Sequence, residues 1–168
     1  VVAVCDTGLD KGSASPAQLH NDFENGSGAS RVIAILDTAG DGITSDLVTG
    51  HGTHVAGSIL GNGVQSGATP STHTYPVNSF AGAAPEASLV FQAAEPNGGR
   101  GLSLPPDLND LFAAAASQGA NIHSNSWGTD GTGEYTASSA EVDQYAWEHP
   151  DFTILFAAGN SGADQSPA

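Results

Sequence analysis

What most limits the folds open to this chain is the alternation of short apolar runs with helical patterns. Residues 1–5, 32–36, 87–94, 120–124 and 152–158 predict strands, and residues 51–60, 106–117 and 137–148 predict helices. The strand segments lack the strict apolar–polar alternation of a sheet with one wet face, so they predict strands covered on both sides. In 106–117, Leu108, Leu111 and Phe112 recur at helical spacing, Pro105-Pro106 marks the start and Gly119 the stop. Strands that alternate with helices need crossover connections, which predicts an α/β fold with a mostly parallel sheet flanked by helices. At 168 residues the chain suits one domain, residues 1–168. The longest linker, 62–84, predicts a functional or mobile loop.

Lys and Arg number 3 against 18 Asp and Glu, a net charge of −15. That balance argues against nucleic acid and against an anionic membrane surface as partners. Three origins of the acidity stand open: a solvated surface on a secreted protein, a surface adapted to high salt, or clustered calcium sites. Asp37, Asp41 and Asp46, in a Gly-containing loop, are the weak candidates for a structural calcium, although the segment departs from the twelve-residue calcium loop. Cys5 is the one cysteine, set in an apolar run, and predicts an inert buried thiol.

Chemistry concentrates in three places. Asp6-Thr7-Gly8 follows the first strand, where open parallel sheets place their sites. His51-Gly52-Thr53-His54-Val55-Ala56-Gly57 opens the first helix. Its two histidines stand three apart with no Glu between them, against the metal-binding helix pattern, so His54 predicts a packed structural residue. Asn160 sits in Ala157-Ala158-Gly159-Asn160-Ser161-Gly162. A carboxylate that holds an imidazole, which in turn takes a proton from a hydroxyl, is the relay of acyl-transfer hydrolases.

These segments, together with Gly82-Ala83-Ala84-Pro85-Glu86-Ala87-Ser88-Leu89, resemble the subtilisin-like serine proteases in motif, order and spacing. Asn125-Ser126-Trp127-Gly128 and the run from Thr153 to Asn160 look closest to the oxidatively stable alkaline protease branch. The resemblance implies a three-layer subtilisin-like fold and a secreted endopeptidase acting on proteins or peptides through an acyl-enzyme, monomeric when complete and needing no cofactor for its chemistry. It implies that Asp6 orients the imidazole, His51 is the general base and Asn160 donates to the oxyanion. Ser126, Trp127 and Gly128 would form one wall of the specificity pocket and Ala157, Ala158 and Gly159 the other. Gly98, Gly99 and Gly101 would belong to a strand edge that pairs with substrate backbone.

One departure matters. The family nucleophile stands in a Gly-Thr-Ser motif beyond the oxyanion Asn, and no Gly-Thr-Ser occurs here. The expectation is therefore the amino-terminal part of a catalytic domain, inactive alone, with its last strand left as an apolar, aggregation-prone edge. A catalytically dead relative that holds peptides is the alternative.

Overall fold

The computed structural model describes residues 1–46, 48–99, 101–129 and 133–160. Five strands form one sheet: β1 (Val2–Asp6), β2 (Val32–Asp37), β3 (Leu89–Ala93), β4 (Ile122–Asn125) and β5 (Thr153–Phe156), in the order β2-β3-β1-β4-β5. Every pairing is parallel. The helices are α1 (His51–Leu60), α2 (Leu108–Ser117) and α3 (Ala137–Glu148). All eight predicted elements are present, and α1 and α3 keep their predicted bounds.

The other helix and most strands are shifted or trimmed, and β2 runs one residue further, to Asp37. α2 begins at Leu108 and not 106, because Asp107 takes the capping position and its side chain accepts from Asn109 N at 2.8 Å. The last strand stops at Phe156 and leaves Ala157 and Ala158 exposed beyond it.

The sheet parts two cores by the two-residue period of its strands. Val2 and Val4 of β1, with Leu89 and Phe91 of β3, face Ala56 and Leu60 of α1. Ala3 and Cys5 point the other way, with Val90, into a core closed by Leu108, Leu111 and Phe112 of α2 and Tyr145 of α3. The result is three layers, with α1 on one face and α2 and α3 on the other. β1 and β3 are buried at every residue, as their unbroken apolar runs require. β5 lies at the edge of the described sheet, with Leu155 51% and Phe156 42% exposed.

α1 sits on the end of β1 by backbone contact. A Cβ at Gly52 would lie 2.5 Å from Gly8 O and 2.9 Å from Phe91 Cζ. A Cβ at Gly8 would in turn lie 2.5 Å from Ser45 O. Only glycine lets the first turn of α1, the turn after β1 and the 45–46 segment approach this closely. The buried face of α1 is Gly52, Ala56 and Leu60, four apart. His54, two residues from Gly52, is turned about 200° away at 3.6 residues per turn. It is exposed, so the packed role predicted for it is wrong.

The 62–84 linker is tied back along α1 over its two ends. Asn62, 2% exposed, donates from Nδ2 to Asn21 O at 2.9 Å and Glu24 O at 2.7 Å. Gly82 N, Ala83 N and Ala84 N donate to Gly61, Ser58 and Ile59 carbonyls. Val77 and Phe80, between these ties, are exposed.

Two buried polar groups add specificity to the cores. The Arg31 guanidinium has carbonyls as its partners: Glu24 O at 3.1 Å, Asp22 O at 2.6 Å, Leu60 O at 2.6 Å, and Ala87 O. Leu60 O belongs to the carboxyl end of α1, where a cation is favoured. On the other face His123, fully buried, meets Gln92 Oε1 at 2.6 Å, and Gln92 Nε2 donates to Leu111 O at 2.8 Å.

Burial pushes the His123 imidazole down from 6.5 to about 4, opposed in part by Asn125. In the unfolded chain the ring takes a proton near 6.5, and in the native state it does so only near 4. The stabilisation from a neutral buried His123 is thus fully present above pH 6.5 and is lost as pH falls toward about 4. It amounts to about 3 kcal/mol. Urea unfolding at a series of pH values between these limits will show that acid-side loss, and His123→Leu, which cannot titrate, will flatten it. Gly52→Ala will destabilise by about 1–3 kcal/mol, read as a shift of the urea midpoint at neutral pH.

Candidate active site

Parallel register collects the chemistry at one edge. Asp6 is the last residue of β1, level with Ala93 of β3, and Cys5 is level with Asn125 of β4, which is itself level with Phe156 of β5. The segments that follow β1, β3, β4 and β5 therefore leave from the same carboxyl edge. At about 4.8 Å per strand, β5 starts its exit roughly 10 Å from Asp6.

Asp6 and His51 are in contact. His51 Nδ1 lies 2.6 Å from Asp6 Oδ1, and the same oxygen accepts from Thr7 N at 2.8 Å. The Asp6 side chain is 2% exposed and that of His51 53% exposed. A buried carboxylate is held by donors on one side, and the imidazole it holds opens to solvent on the other. An ionised carboxylate only accepts, so Nδ1 carries the proton and the lone pair of the neutral ring lies on Nε2, away from Asp6. Asp6 Oδ2 is buried without a partner among the described residues.

The surroundings are acidic. Glu95, at the exit of β3, is 9% exposed and its backbone N–H donates to Thr7 O at 3.1 Å. Burial pushes its carboxyl up, and the charges of Asp46 and Asp6 add to the shift. Cys5, beneath Asp6, is fully buried, and burial with the adjacent Asp6 charge pushes its thiol up to about 12. A thiol so placed is inert, as its apolar run predicts.

Asn160 lies at an exposed bend beyond β5, on the same edge. Its side chain makes no hydrogen bond with another described residue. Ser126, Trp127 and Gly128 leave β4, and Ala157, Ala158 and Gly159 leave β5 next to it, tied by Ala157 N donating to Asn125 O at 3.0 Å. Trp127 is anchored edge-to-face on Phe156, ring centres 5.1 Å apart. Ser161 and Gly162, which complete the Asn160 motif, lie outside the described residues. Two concavities, of about 310 Å³ between α2 and α3 and about 190 Å³ beside the 62–84 linker, do not include Asp6 or His51.

One expectation fails, and the weak candidates for a cation do not come together. Gly98, Gly99 and Gly101 do not form a strand edge. Their φ of +102°, +64° and +77° lies in the left-handed region, whereas a strand able to pair with a peptide needs φ near −120°. Nor do Asp37, Asp41 and Asp46 form one cation site. Asp37 accepts from Gly40 N at 2.8 Å and Gly42 N at 2.7 Å; Asp41 accepts from Ile43 N at 2.9 Å and from Asn97 N. Asp46 is turned away into the first turn of α1, accepting from Thr53 N at 2.8 Å. Carboxylates already met by N–H groups do not fit a hard cation, which takes converging oxygens. Among the described residues no group of three or more His, Cys, Asp or Glu is arranged to hold a metal ion.

The sequence matches the subtilase family over residues 1–168. It is 29% identical over 161 residues to the serine protease/ABC transporter B family protein tagA of Dictyostelium discoideum, covering 96% of this chain and 8% of that protein. It is 30% identical over 170 residues to tagD, of the same description and organism, covering 96% of this chain and 9% of that protein. The chain thus spans under a tenth of the curated relatives it matches. Among solved structures, the Clostridium perfringens CspB protease superposes with a TM-score of 0.67 at 18% identity, over 96% of this chain and 36% of that one. The patellamide maturation protease PatA superposes with a TM-score of 0.59 at 24% identity, over 99% of this chain and 51% of that one. At these identities the structures speak for the fold, and it is the three-layer arrangement described above. The matches identify a family and not a branch within it. The chain belongs to the subtilase family of serine proteases.

Proposed function

We propose that this chain is the part of a subtilisin-like endopeptidase that carries the acid and the base of its catalytic relay, and that the serine comes from polypeptide outside these 168 residues. The observation that carries the reading is the 2.6 Å contact between a buried Asp6 oxygen and Nδ1 of a half-exposed His51. Asp6 keeps His51 in the tautomer whose Nε2 is basic and stabilises the ring once it is charged. Nε2 takes the proton of the incoming serine hydroxyl as that oxygen attacks the substrate carbonyl, then returns it to the leaving amine. Asn160, on the same edge, donates its amide to the oxyanion of the tetrahedral intermediate.

Extended peptide would lie across the carboxyl edge between the segments after β4 and β5. The positive φ of Gly98, Gly99 and Gly101 supports no strand pairing there as it stands. The absence of a Gly-Thr-Ser motif supports an external nucleophile, as does the greater length of the solved structures that share the fold.

The test compares the 168-residue chain with a longer product of the same gene, on a fluorogenic peptide library. The chain alone will show no turnover. The longer product will hydrolyse peptides and lose roughly 10⁶-fold in kcat on His51→Ala, a magnitude taken from subtilisin itself. Asn160→Ala will cost roughly 10²–10³-fold in kcat, again on the scale of subtilisin. Hydrolysis by the short chain that disappears with His51→Ala would mean that the nucleophile lies within these residues.

A further inference from the structure

Both ends of the Asp6–His51 contact are tied to one buried carboxylate. Asp46 is 8% exposed and stands between the turn after β1 and the first turn of α1. Its Oδ2 accepts from Thr53 N at 2.8 Å and Thr53 Oγ1 at 2.7 Å. Its Oδ1 accepts from Thr7 Oγ1 at 2.9 Å, Gly50 N at 3.1 Å and, at 3.4 Å, Thr49 Oγ1. Thr7 Oγ1 in turn accepts from Gly52 N at 2.8 Å. The hydroxyl proton of Thr7 thus points to Asp46 and its lone pair to α1. Thr7 N meanwhile donates to the Asp6 oxygen that His51 engages.

The physical need is plain. The first N–H groups of a helix lack partners within it, and Gly50 at the capping position has no side chain to offer. Asp46 supplies the missing acceptor from outside the helix, as an anion at the positive end of the dipole. Because one of its oxygens is also held by Thr7, the same carboxylate that caps α1 sets where α1 begins relative to Asp6. His51 is the first residue of α1, so its ring swings with any rotation or slide of that turn.

We propose that Asp46, acting through Thr7, is a positioning residue that holds the His51 ring on Asp6. Neither residue is assigned contact with substrate. The role deepens the reading of Asp6 and His51 as acid and base and rests on it.

The test uses the longer, active gene product, labelled with ¹⁵N in its histidine rings, with the variants Thr7→Val, Thr7→Ser and Asp46→Asn. Thr7→Val keeps the shape and removes both links of the hydroxyl, Thr7→Ser keeps them, and Asp46→Asn replaces one acceptor by a donor. In the parent protein His51 will show one tautomer and a sharp, deshielded Nδ1–H signal. In Thr7→Val and Asp46→Asn that signal will broaden or vanish and the second tautomer will appear. The buried His123 ring will keep its signals as the internal record of an intact fold, and Thr7→Ser will match the parent. With the ring displaced, kcat will fall roughly 10²-fold with little change in KM, and Thr7→Ser will restore it.

An unchanged His51 tautomer and Nδ1–H signal in Thr7→Val would overturn the proposal. Loss of the His123 signals in both Thr7→Val and Asp46→Asn would overturn it too, since the carboxylate would then hold the whole fold and not His51 in particular. A parent protein that hydrolyses no peptide, or whose hydrolysis survives His51→Ala, defeats the peptidase reading instead, and the ring signals still decide the positioning role.

Discussion

Backbone packs on backbone where Gly52 of α1 meets Gly8 after β1, so closely that a Cβ at Gly52 would lie 2.5 Å from Gly8 O. This packing sets the distance between a helix that starts with a histidine and a strand that ends with an aspartate. A side chain larger than hydrogen at Gly52 would press on Gly8 and force the two elements apart, and one at Gly8 would press on Ser45 and Asp46. The 2.6 Å contact between His51 and Asp6 exists because that gap is closed first by packing. The two motifs therefore combine different demands: Asp6 and His51 serve the chemistry, Gly8 and Gly52 serve the approach, and Thr7 and Thr53 tie the two together.

Around that contact the fold keeps several polar groups out of water, each in its own way. Asp6 is met by a backbone N–H and an imidazole, and Asp46 by hydroxyls and helix N–H groups. Arg31 is met by carbonyls, including one at the far end of α1. α1 is thus held at its amino end by a buried anion and at its carboxyl end by a buried cation, both favoured by the helix dipole. Burial without such partners would be costly, which makes these groups a check on register as much as a source of stability. A slip of one residue along β1 would send Asp6 to the wrong face and leave its partners empty.

Much of this was legible in the sequence. The unbroken apolar runs in β1 and β3 predicted strands covered on both faces, and both are buried throughout. The start of α1 at His51 and its end at Leu60 followed from glycines on either side. Where expectation failed, local pattern had to compete with tertiary context. His54 was read as packed once its spacing from His51 argued against a metal, yet helix geometry turns it to solvent. Gly98, Gly99 and Gly101 were read as strand edge from a resemblance, yet their positive φ takes them out of the strand region. Asp37, Asp41 and Asp46 are close in sequence, and the chain spends them on three separate sets of N–H groups.

By itself the sequence determined the alternation of strands and helices, because periodicity is a local property, and its motifs carried the resemblance that implied the three-layer fold, the family and the pair of residues at the site. Only the tertiary structure decided what Thr7, Asp46 and Arg31 do. Some of their partners lie 39, 45, 29 and 56 residues away along the chain. A hydrogen bond is made by distance and direction in space, and no spacing rule along a sequence states which distant donor will face a given carboxylate once the helices have docked.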